Sequence, residues 1–80
     1  MPRFFLHLID GVDEVLDDEG VELPVEAIAG AALLAARDCM AADVKLGRVD
    51  LNHRIDVHHE NGDVAQSLVF ADALEIIPLR

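Results

Sequence analysis

The dipeptide Asn61-Gly62 constrains the fold more than any other feature of the sequence, because it lies between two stretches of alternating apolar residues. Asn-Gly in this setting favours a β-hairpin with a two-residue type I′ turn, since both residues tolerate the positive φ that the turn requires. The sequence therefore predicts a hairpin over residues 54–70. With Glu60 opposite Asp63, the predicted pairs are Ile55 with Leu68, Val57 with Gln66, and His59 with Val64.

The alternation in this hairpin separates its side chains into two faces, because successive side chains of a strand point to opposite sides of the sheet. The predicted core face holds Ile55, Val57, Leu68 and Phe70, and the opposite face holds Arg54, Asp56, His58 and Ser67. The segment that follows, residues 71–77, fits either a short helical turn or an extension of an edge strand. Pro78 ends either one.

A first strand is predicted over residues 3–9, RFFLHLI, which are aromatic or apolar in the main and are followed by the turn dipeptide Asp10-Gly11. Both faces of this strand are largely apolar, with Phe4, Leu6 and Leu8 on one and Phe5, His7 and Ile9 on the other. Such strands are normally covered on both sides. Residues 12–23 predict a second strand that returns beside the first and is interrupted by a loop or bulge at residues 17–20.

Residues 25–42 predict one amphipathic helix. Pro24 suits the first turn of a helix, and Glu26 would stabilise the positive end of the helix dipole. Leu34 projects from the side opposite to the apolar stripe, and Gly47 is predicted to stop the helix or to begin the following loop. At 100° per residue the apolar stripe contains Val25, Ile28, Ala32, Ala35, Ala36, Cys39 and Met40.

Together these elements predict a single small α+β domain over residues 1–80, in the order ββαββ, with an antiparallel sheet of two hairpins and one helix across one face. The single cysteine, Cys39, cannot form an intramolecular disulfide, which favours a reducing cytoplasm. The longest apolar run, residues 27–36, has about half of the ~20 residues that a membrane-spanning helix needs. The apolar stretch near the N-terminus is too short for a secretory signal. We therefore expect a cytoplasmic protein.

The charge of the chain is strongly negative, with 16 Asp and Glu against 6 Lys and Arg and a net charge of −10. Eight of the acids but only one base lie in the first 26 residues. Nucleic acids and anionic membranes are bound chiefly by Lys and Arg, so neither is expected as a partner. The acidic run fits a solvated surface that keeps the domain soluble, or a surface that binds a basic protein partner.

These motifs together resemble a family of small uncharacterised bacterial domains, whose members begin Met-Pro-Arg-Tyr-Phe-Phe and carry an Asp-Glu-Glu-Gly-x-Glu-Leu-Pro-Asp segment. The resemblance covers essentially the whole chain and implies a fold but no activity. The chain departs from the family pattern at Phe4, where Tyr is usual, and at Val25, where Asp is usual. Without that Asp as a cap, the helix N-terminus should be less stable by ~1 kcal/mol. The matching positions are Met1, Pro2, Arg3, Phe5, His7, Asp10, Gly11, Asp18, Glu19, Gly20, Glu22, Leu23 and Pro24.

Metal binding is one alternative function. The acidic run does not have the spacing of an EF-hand calcium loop, which needs Gly at its sixth position and Glu at its twelfth. His58 and His59 point to opposite faces of a strand and cannot chelate one ion together. An approach of His53 or His59 to His7 across the sheet stays open. A metal- or small-ligand-binding domain that uses His7, His53 or His59 is therefore the alternative hypothesis.

Catalysis has little support in the sequence. Cys39 lies on the apolar stripe of the helix, where a free cysteine usually behaves as a small hydrophobe. Ser67 is the only hydroxyl-bearing side chain, since the chain has no Thr and no Tyr. No Ser-His-Asp order and no Gly-rich phosphate loop is present. We expect no enzyme, no catalytic residue, no metal site and no cofactor.

The favoured hypothesis is a non-enzymatic protein-interaction module that forms a homodimer or binds another protein, with its acidic surface facing a basic partner. It rests on the two apolar faces of the first strand, since one helix covers only one face. An antitoxin-like acidic protein is a further alternative, because the element order is also similar, at the level of fold alone, to the domain of HicB antitoxins. The candidate interaction residues are Phe5, Ile9, Leu34, Asp13, Asp17, Asp18 and Glu19.

Overall fold

Strand β1 (Arg3–Asp10) organises the sheet, because it pairs antiparallel on both of its sides. On one side it pairs with β4 (Arg54–His59), which pairs in turn with β5 (Val64–Val69). On the other side it pairs with two short strands, β2 (Asp13–Val15) and β3 (Val21–Glu22). This computed structural model describes residues 1–11 and 13–80, and Val12, part of the predicted second strand, lies outside the described residues.

The predicted interruption of the second strand separates β2 from β3. Between them the chain leaves β1, and the side chain of Asp17 takes the place of a strand partner by accepting the backbone N–H of Leu6 at 3.2 Å. Gly20 then returns the chain to the sheet with a φ of +71°, a conformation that favours glycine. A Cβ at Gly20 would lie 2.8 Å from the backbone oxygen of Phe4. The close approach to β1 therefore requires a glycine as well.

The helical segment begins with a 3₁₀ helix (Val25–Ala27) and continues as α1 (Ile28–Lys45). Four residues at helical spacing are buried: Ile28, Ala32, Ala36 and Met40. Val25, predicted to lie on the same stripe, is exposed. The reason is that a 3₁₀ helix has three residues per turn. Residues spaced for one face of an α-helix therefore do not stay on that face in the 3₁₀ segment. Pro24 and Ala27, which precede the two helical segments, have no side-chain oxygen to act as a cap.

The end of α1 is a Schellman motif around Gly47. The N–H of Arg48 donates to the carbonyl of Asp43 at 3.3 Å, and the N–H of Gly47 donates to that of Val44 at 3.0 Å. Gly47 has a φ of +96°, as this motif requires. The predicted stop at Gly47 is confirmed, although the helix runs three residues beyond the predicted Ala42.

The β4–β5 hairpin has the predicted pairs Ile55–Leu68 and Val57–Gln66, but its turn differs from the prediction. Asn61 does not have a positive φ, so the turn is not of type I′. Instead the Gly62 N–H donates to the His59 carbonyl and the His59 N–H donates to the Asp63 carbonyl, which makes a three-residue loop of residues 60–62. This odd loop shifts the register by one residue, so that His58, and not His59, lies opposite Val64. A β-bulge beside Val57 and His58 absorbs the shift.

The core lies between α1 and one face of the sheet, which confirms the α+β class with one helix packed on an antiparallel sheet. The three largest side chains that are fully buried there are Phe4, Phe70 and Val57. Phe70 begins a 3₁₀ helix (Phe70–Ala73), so the start of the predicted 71–77 segment takes the helical alternative. No helix among the described residues has the length and hydropathy needed to cross a membrane.

Candidate functional site

The face of the sheet that α1 does not cover, called the helix-free face below, carries the densest group of polar side chains in the sheet. Its residues follow from the strand register, because residues that pair across antiparallel strands share a face. Three rows cross β1, β4 and β5. The rows are Phe5, His58 and Val64; His7, Asp56 and Ser67; and Ile9, Arg54 and Val69.

Asp56 is the centre of this face. It is buried, with 8% of its surface exposed, and it is the only buried charged residue in the described part of the chain. Its carboxylate accepts hydrogen bonds from the Ser67 hydroxyl and, at 3.1 and 3.2 Å, from the Nε of Arg54. A buried carboxylate is stable only when such donors replace its water. The Ser67 contact therefore joins β5 to β4 through side chains as well as through the backbone, whereas the two Arg54 contacts lie within β4.

The environment of Asp56 keeps it ionised. Burial by itself raises the pKa of a carboxyl group, because it disfavours the charged form. Here the hydrogen bonds from Ser67 and Arg54, together with the positive charge of Arg54 and the proximity of His58, outweigh burial and lower the pKa of Asp56 below its ordinary value. The carboxylate is therefore an acceptor at neutral pH and has no proton to donate.

Two histidines and a phenylalanine form an aromatic group beside Asp56. The rings of His7 and His58 meet edge to face with 4.7 Å between their centroids, and Phe5 stacks on His7 at 6.4 Å. The Nδ1 of His7 accepts the backbone N–H of Asp17 at 3.0 Å. Nδ1 is therefore unprotonated in this arrangement, and only Nε2 can carry the ring proton. The loop between β2 and β3 fixes the orientation of the His7 ring in this way.

The side chain of Asp17 organises that loop. Its two oxygens accept backbone N–H groups from Leu6, Glu19 and Gly20 at 3.0–3.2 Å. Burial opposes the ionised form of Asp17, but these three donors lower the pKa of its carboxyl group below the ordinary value. Asp17 thus acts within the chain, since its oxygens are occupied by backbone groups of the same chain.

The helix-free face does not have the arrangement of a nucleophilic site. Such sites need a hydroxyl or thiol that gives its proton to a neighbouring base. The Ser67 hydroxyl donates to the ionised Asp56, but the lowered pKa of that carboxyl group makes it a weak base for a hydroxyl proton. Cys39 lies on α1, where burial first, and the negative charges of Asp43 and Asp38 second, raise the pKa of its thiol. A raised pKa disfavours the reactive thiolate.

A second polar group lies where the turn after β1 meets the loop before β4. The Nε2 of His53 lies 2.6 Å from an oxygen of Asp10 and 3.3 Å from an oxygen of Asp50. The backbone and side-chain amides of Asn52 lower the pKa of Asp50, and His53 and Arg48 add to the effect. A cleft of about 320 Å³ is lined by Asp10, Asp43, Leu46, Arg48, Asp50 and His53. His53 is already engaged by two carboxylates, so this group connects two loops of the domain.

Strand β5 forms one edge of the sheet, since it pairs with β4 alone in the order β2-β1-β4-β5. Its sequence, VAQSLV, contains no charged residue. Val64 and Val69 are exposed there, with 58% and 38% of their surfaces accessible. The opposite edge also exposes apolar side chains, Val15, Leu16 and Val21, but its strands β2 and β3 have only three and two residues and the segment that contains them is acidic.

Comparison with known protein families identifies the domain. The sequence model of a domain of unknown function, DUF6894, matches residues 3–71, which is most of the chain. The chain belongs to the DUF6894 family. This confirms the resemblance to a domain family without an established activity. No curated protein and no solved structure matches the chain significantly. The five strands in the described part of this DUF6894 domain lie within the matched residues, whereas the segment from residue 72 onward follows them.

The predicted interaction residues of this DUF6894 domain occupy three separate regions. Phe5 and Ile9 lie on the helix-free face, but Ile9 is only 7% exposed, so contacts within the chain already cover it. Phe5 is half-buried beside His7. Leu34 is 63% exposed on α1. The acidic candidates Asp13, Asp18 and Glu19 are exposed along the β2–β3 edge, whereas Asp17 is directed inward.

The histidines of the DUF6894 domain are arranged differently from the alternatives considered for metal binding. His7 contacts His58, and neither His53 nor His59 joins them. His59 packs against Phe4, whose side chain lies in the core, and His53 contacts Asp10 and Asp50. Across residues 1–11 and 13–80, no three His, Cys, Asp or Glu side chains are arranged to hold a metal ion.

The network around Asp56 was not predicted as a site, although part of it was visible in the sequence. The predicted hairpin register places Arg54, Asp56 and Ser67 on one face, and the structure confirms this placement. An Asp in the middle of a predicted strand, with the only hydroxyl of the chain opposite, was the available signal. For Asp17 only the turn-like DDEG segment gave a local signal, because Glu19 and Gly20 donate from the same loop whereas the third donor, Leu6, lies in β1.

Proposed function

We propose that this DUF6894 domain is a non-enzymatic, cytoplasmic protein-interaction module that self-associates. The observation that supports it is the division of the surface between the two edges of the sheet. Both edges expose apolar side chains, but exposed acidic residues accompany them on the β2–β3 edge, whereas β5 has two exposed valines and no charge. The segment after the last 3₁₀ helix adds four exposed apolar side chains, Leu74, Ile76, Ile77 and Leu79.

This division favours association through apolar contacts. Burial of apolar surface stabilises an assembly by about 25 cal/mol per Å². Exposed apolar patches that no partner covers promote non-specific association. The acidic edge stays in solvent in such an assembly and offers a surface to a basic protein partner. It also limits association to small, soluble assemblies through charge repulsion.

The polar groups of the helix-free face are consistent with a structural role in the module. Asp56 and Asp17 are ionised acceptors whose oxygens are occupied by donors of the chain. Ser67 donates to a carboxylate whose pKa is lowered, and the pKa of the Cys39 thiol is raised, so neither side chain is activated as a nucleophile. The proposal therefore assigns these groups to the stability of the sheet and the interaction to its surface.

The mass of the assembly in solution tests the proposal. Sedimentation velocity or light scattering should give a mass that rises toward twice that of the chain as the concentration increases to about 100 µM, a limit that corresponds to a binding free energy of about −5.5 kcal/mol. Raising the salt concentration should preserve or strengthen the association, because salt screens the repulsion between two chains of charge −10. A mass of one chain at every concentration and salt level would reject self-association.

A further inference from the structure

We infer that two copies of the chain associate by antiparallel pairing of β5 with β5 of the second copy, which makes one continuous sheet across both copies. This inference rests on the proposed self-association and names its contact surface. It differs from the sequence-based hypothesis, which expected the helix-free face around Phe5 and Ile9 to be covered by a partner.

The backbone of β5 has hydrogen-bonding groups that point away from the sheet. The N–H of Phe70 donates to the His53 carbonyl of the neighbouring chain segment at 2.8 Å. In an antiparallel ladder this direction alternates from residue to residue. Leu68 and Gln66 therefore point their backbone groups toward β4, whereas Ser67 and Val69 point theirs outward. These outward groups are free to pair with another strand.

The β5 edge lacks the features that normally prevent such pairing. Proteins protect edge strands with charged side chains, proline, short length or bulges. β5 has six residues, no charge and no proline, and its bulge lies beside Val64, so residues 66–69 form a regular ladder with β4. The β2–β3 edge is protected by short strands, acidic residues and the loop that Asp17 organises. Only the β5 edge is therefore suited to extend the sheet.

The distribution of charge also selects the β5 edge. Adjacent strands lie about 4.8 Å apart, so pairing through β5 separates the two acidic edges by seven strand spacings, about 34 Å. That distance is several times the Debye length of about 8 Å at physiological salt. Pairing through the β2–β3 edges would place the two acidic segments about one strand spacing apart, where like charges repel. A second copy therefore meets the least repulsion at β5.

The outward groups define one register that avoids the bulge. If Leu68 lies opposite Leu68 of the second copy on the two-fold axis, Ser67 of each copy pairs with Val69 of the other. All four outward backbone groups on each strand are then used. The leucines form a non-hydrogen-bonded pair, for which the Cα atoms lie about 4.5 Å apart. This register makes the site testable at single residues.

A pair of lysine variants tests the edge without relying on net charge. Val69→Lys places a charge on the β5 edge, and Leu34→Lys places the same charge on α1 at a side chain that is also exposed. Each variant lowers the negative charge equally, so repulsion between copies decreases in both. Val69→Lys should raise the dissociation constant by about tenfold or more, because each dimer then carries two lysines on the paired edge strands, each opposite Ser67 of the other copy. Leu34→Lys should leave the dissociation constant unchanged.

A cysteine variant tests the register. In a background in which Cys39 is replaced by Ala, Leu68→Cys should form a disulfide-linked dimer under mild oxidation, since disulfides need Cα atoms about 4.4–6.8 Å apart. Val64→Cys is the matched control on the same strand. In this register the two copies of residue 64 lie about 27 Å apart, eight residues along the strand direction, and should not crosslink. The crosslink also reports on the contact if Val69→Lys were to disturb folding.

The outcomes separate this inference from the proposed function. Association that persists in Val69→Lys, or crosslinks that form through residue 64 and not through residue 68, would overturn β5 pairing but leave self-association standing. Deletion of residues 74–80 checks the main competitor, because the segment after Ala73 carries exposed apolar side chains and could itself cover the edge of a second copy. Loss of the dimer on deletion, with Val69→Lys unaffected, would assign the contact to that segment and reject β5 pairing. A monomeric wild-type chain would reject both proposals.

Discussion

Replacing Asp56 by Asn should destabilise the domain by about 2 kcal/mol at neutral pH. The substitution keeps the shape of the side chain but removes its charge. The Ser67 hydroxyl donates to a buried, charged acceptor, for which a loss of ~1–1.5 kcal/mol is expected. Arg54 is half-exposed, so solvent screening reduces its share to ~0.5–1 kcal/mol. For a domain of this length, 2 kcal/mol corresponds to a decrease in Tm of about 8–16 °C.

The effect of Asp56→Asn should depend on pH in a defined direction. The pKa of Asp56 is lowered by folding, so its contribution is fully present above the unfolded value of about 3.9 and is lost as the pH falls through the lower, folded value. The free energy difference between wild type and Asp56→Asn should therefore be constant from neutral pH to about pH 5 and should decrease toward pH 3.

Urea unfolding followed by far-UV circular dichroism is the appropriate assay, because the chain has no Trp and no Tyr to report by fluorescence. Measurements belong at a concentration at which the chain is monomeric, since association with a second copy adds to the apparent stability. Asp18→Asn is the control, as Asp18 is exposed on the acidic edge. A decrease below ~0.5 kcal/mol for Asp56→Asn at pH 7, equal to that of an ordinary surface substitution, would refute the argument. A difference that does not decrease at low pH would refute the assigned role of the charge.

Three further predictions concern the hydrogen bonds and glycines of the fold. In urea unfolding, Ser67→Ala should lower the free energy of unfolding by ~1 kcal/mol. The double variant with Asp56→Asn should lose less stability than the sum of the two single variants, by ~0.5 kcal/mol or more, because the residues share a hydrogen bond. Asp17→Ala should accelerate hydrogen exchange, measured by NMR, at the three backbone amides that its carboxylate accepts, and normal protection there would contradict the assignment. Gly20→Ala should destabilise the domain by ~1–3 kcal/mol, because φ is +71° and the added Cβ would contact β1. Gly30→Ala should instead stabilise α1 by ~0.5–1 kcal/mol, since open space surrounds that helical position.

The elements with local signals were predictable from the sequence. The alternation around Asn61-Gly62 predicted β4, β5 and their pairing, because both strands and the turn lie within 17 residues of each other. The apolar stripe predicted the buried face of α1, and Gly47 predicted its end. The turn itself was not predictable in detail. Asn61 adopts a negative φ, while its side chain accepts the N–H of Asp63, so a three-residue loop replaces the type I′ turn.

The candidate site depends on contacts that no local pattern records. The sequence by itself determined the composition of each strand face, including the placement of Asp56 and Ser67 on the same side, because alternation in a strand is a local property. Tertiary structure alone decided that Asp17 turns inward to the N–H of Leu6, that Ile9 is covered within the chain, and that β5 remains an unpaired edge. These outcomes follow from which strands lie beside one another. Which strands become neighbours depends on how the whole core buries its apolar side chains, and those side chains come from residues far apart in the chain.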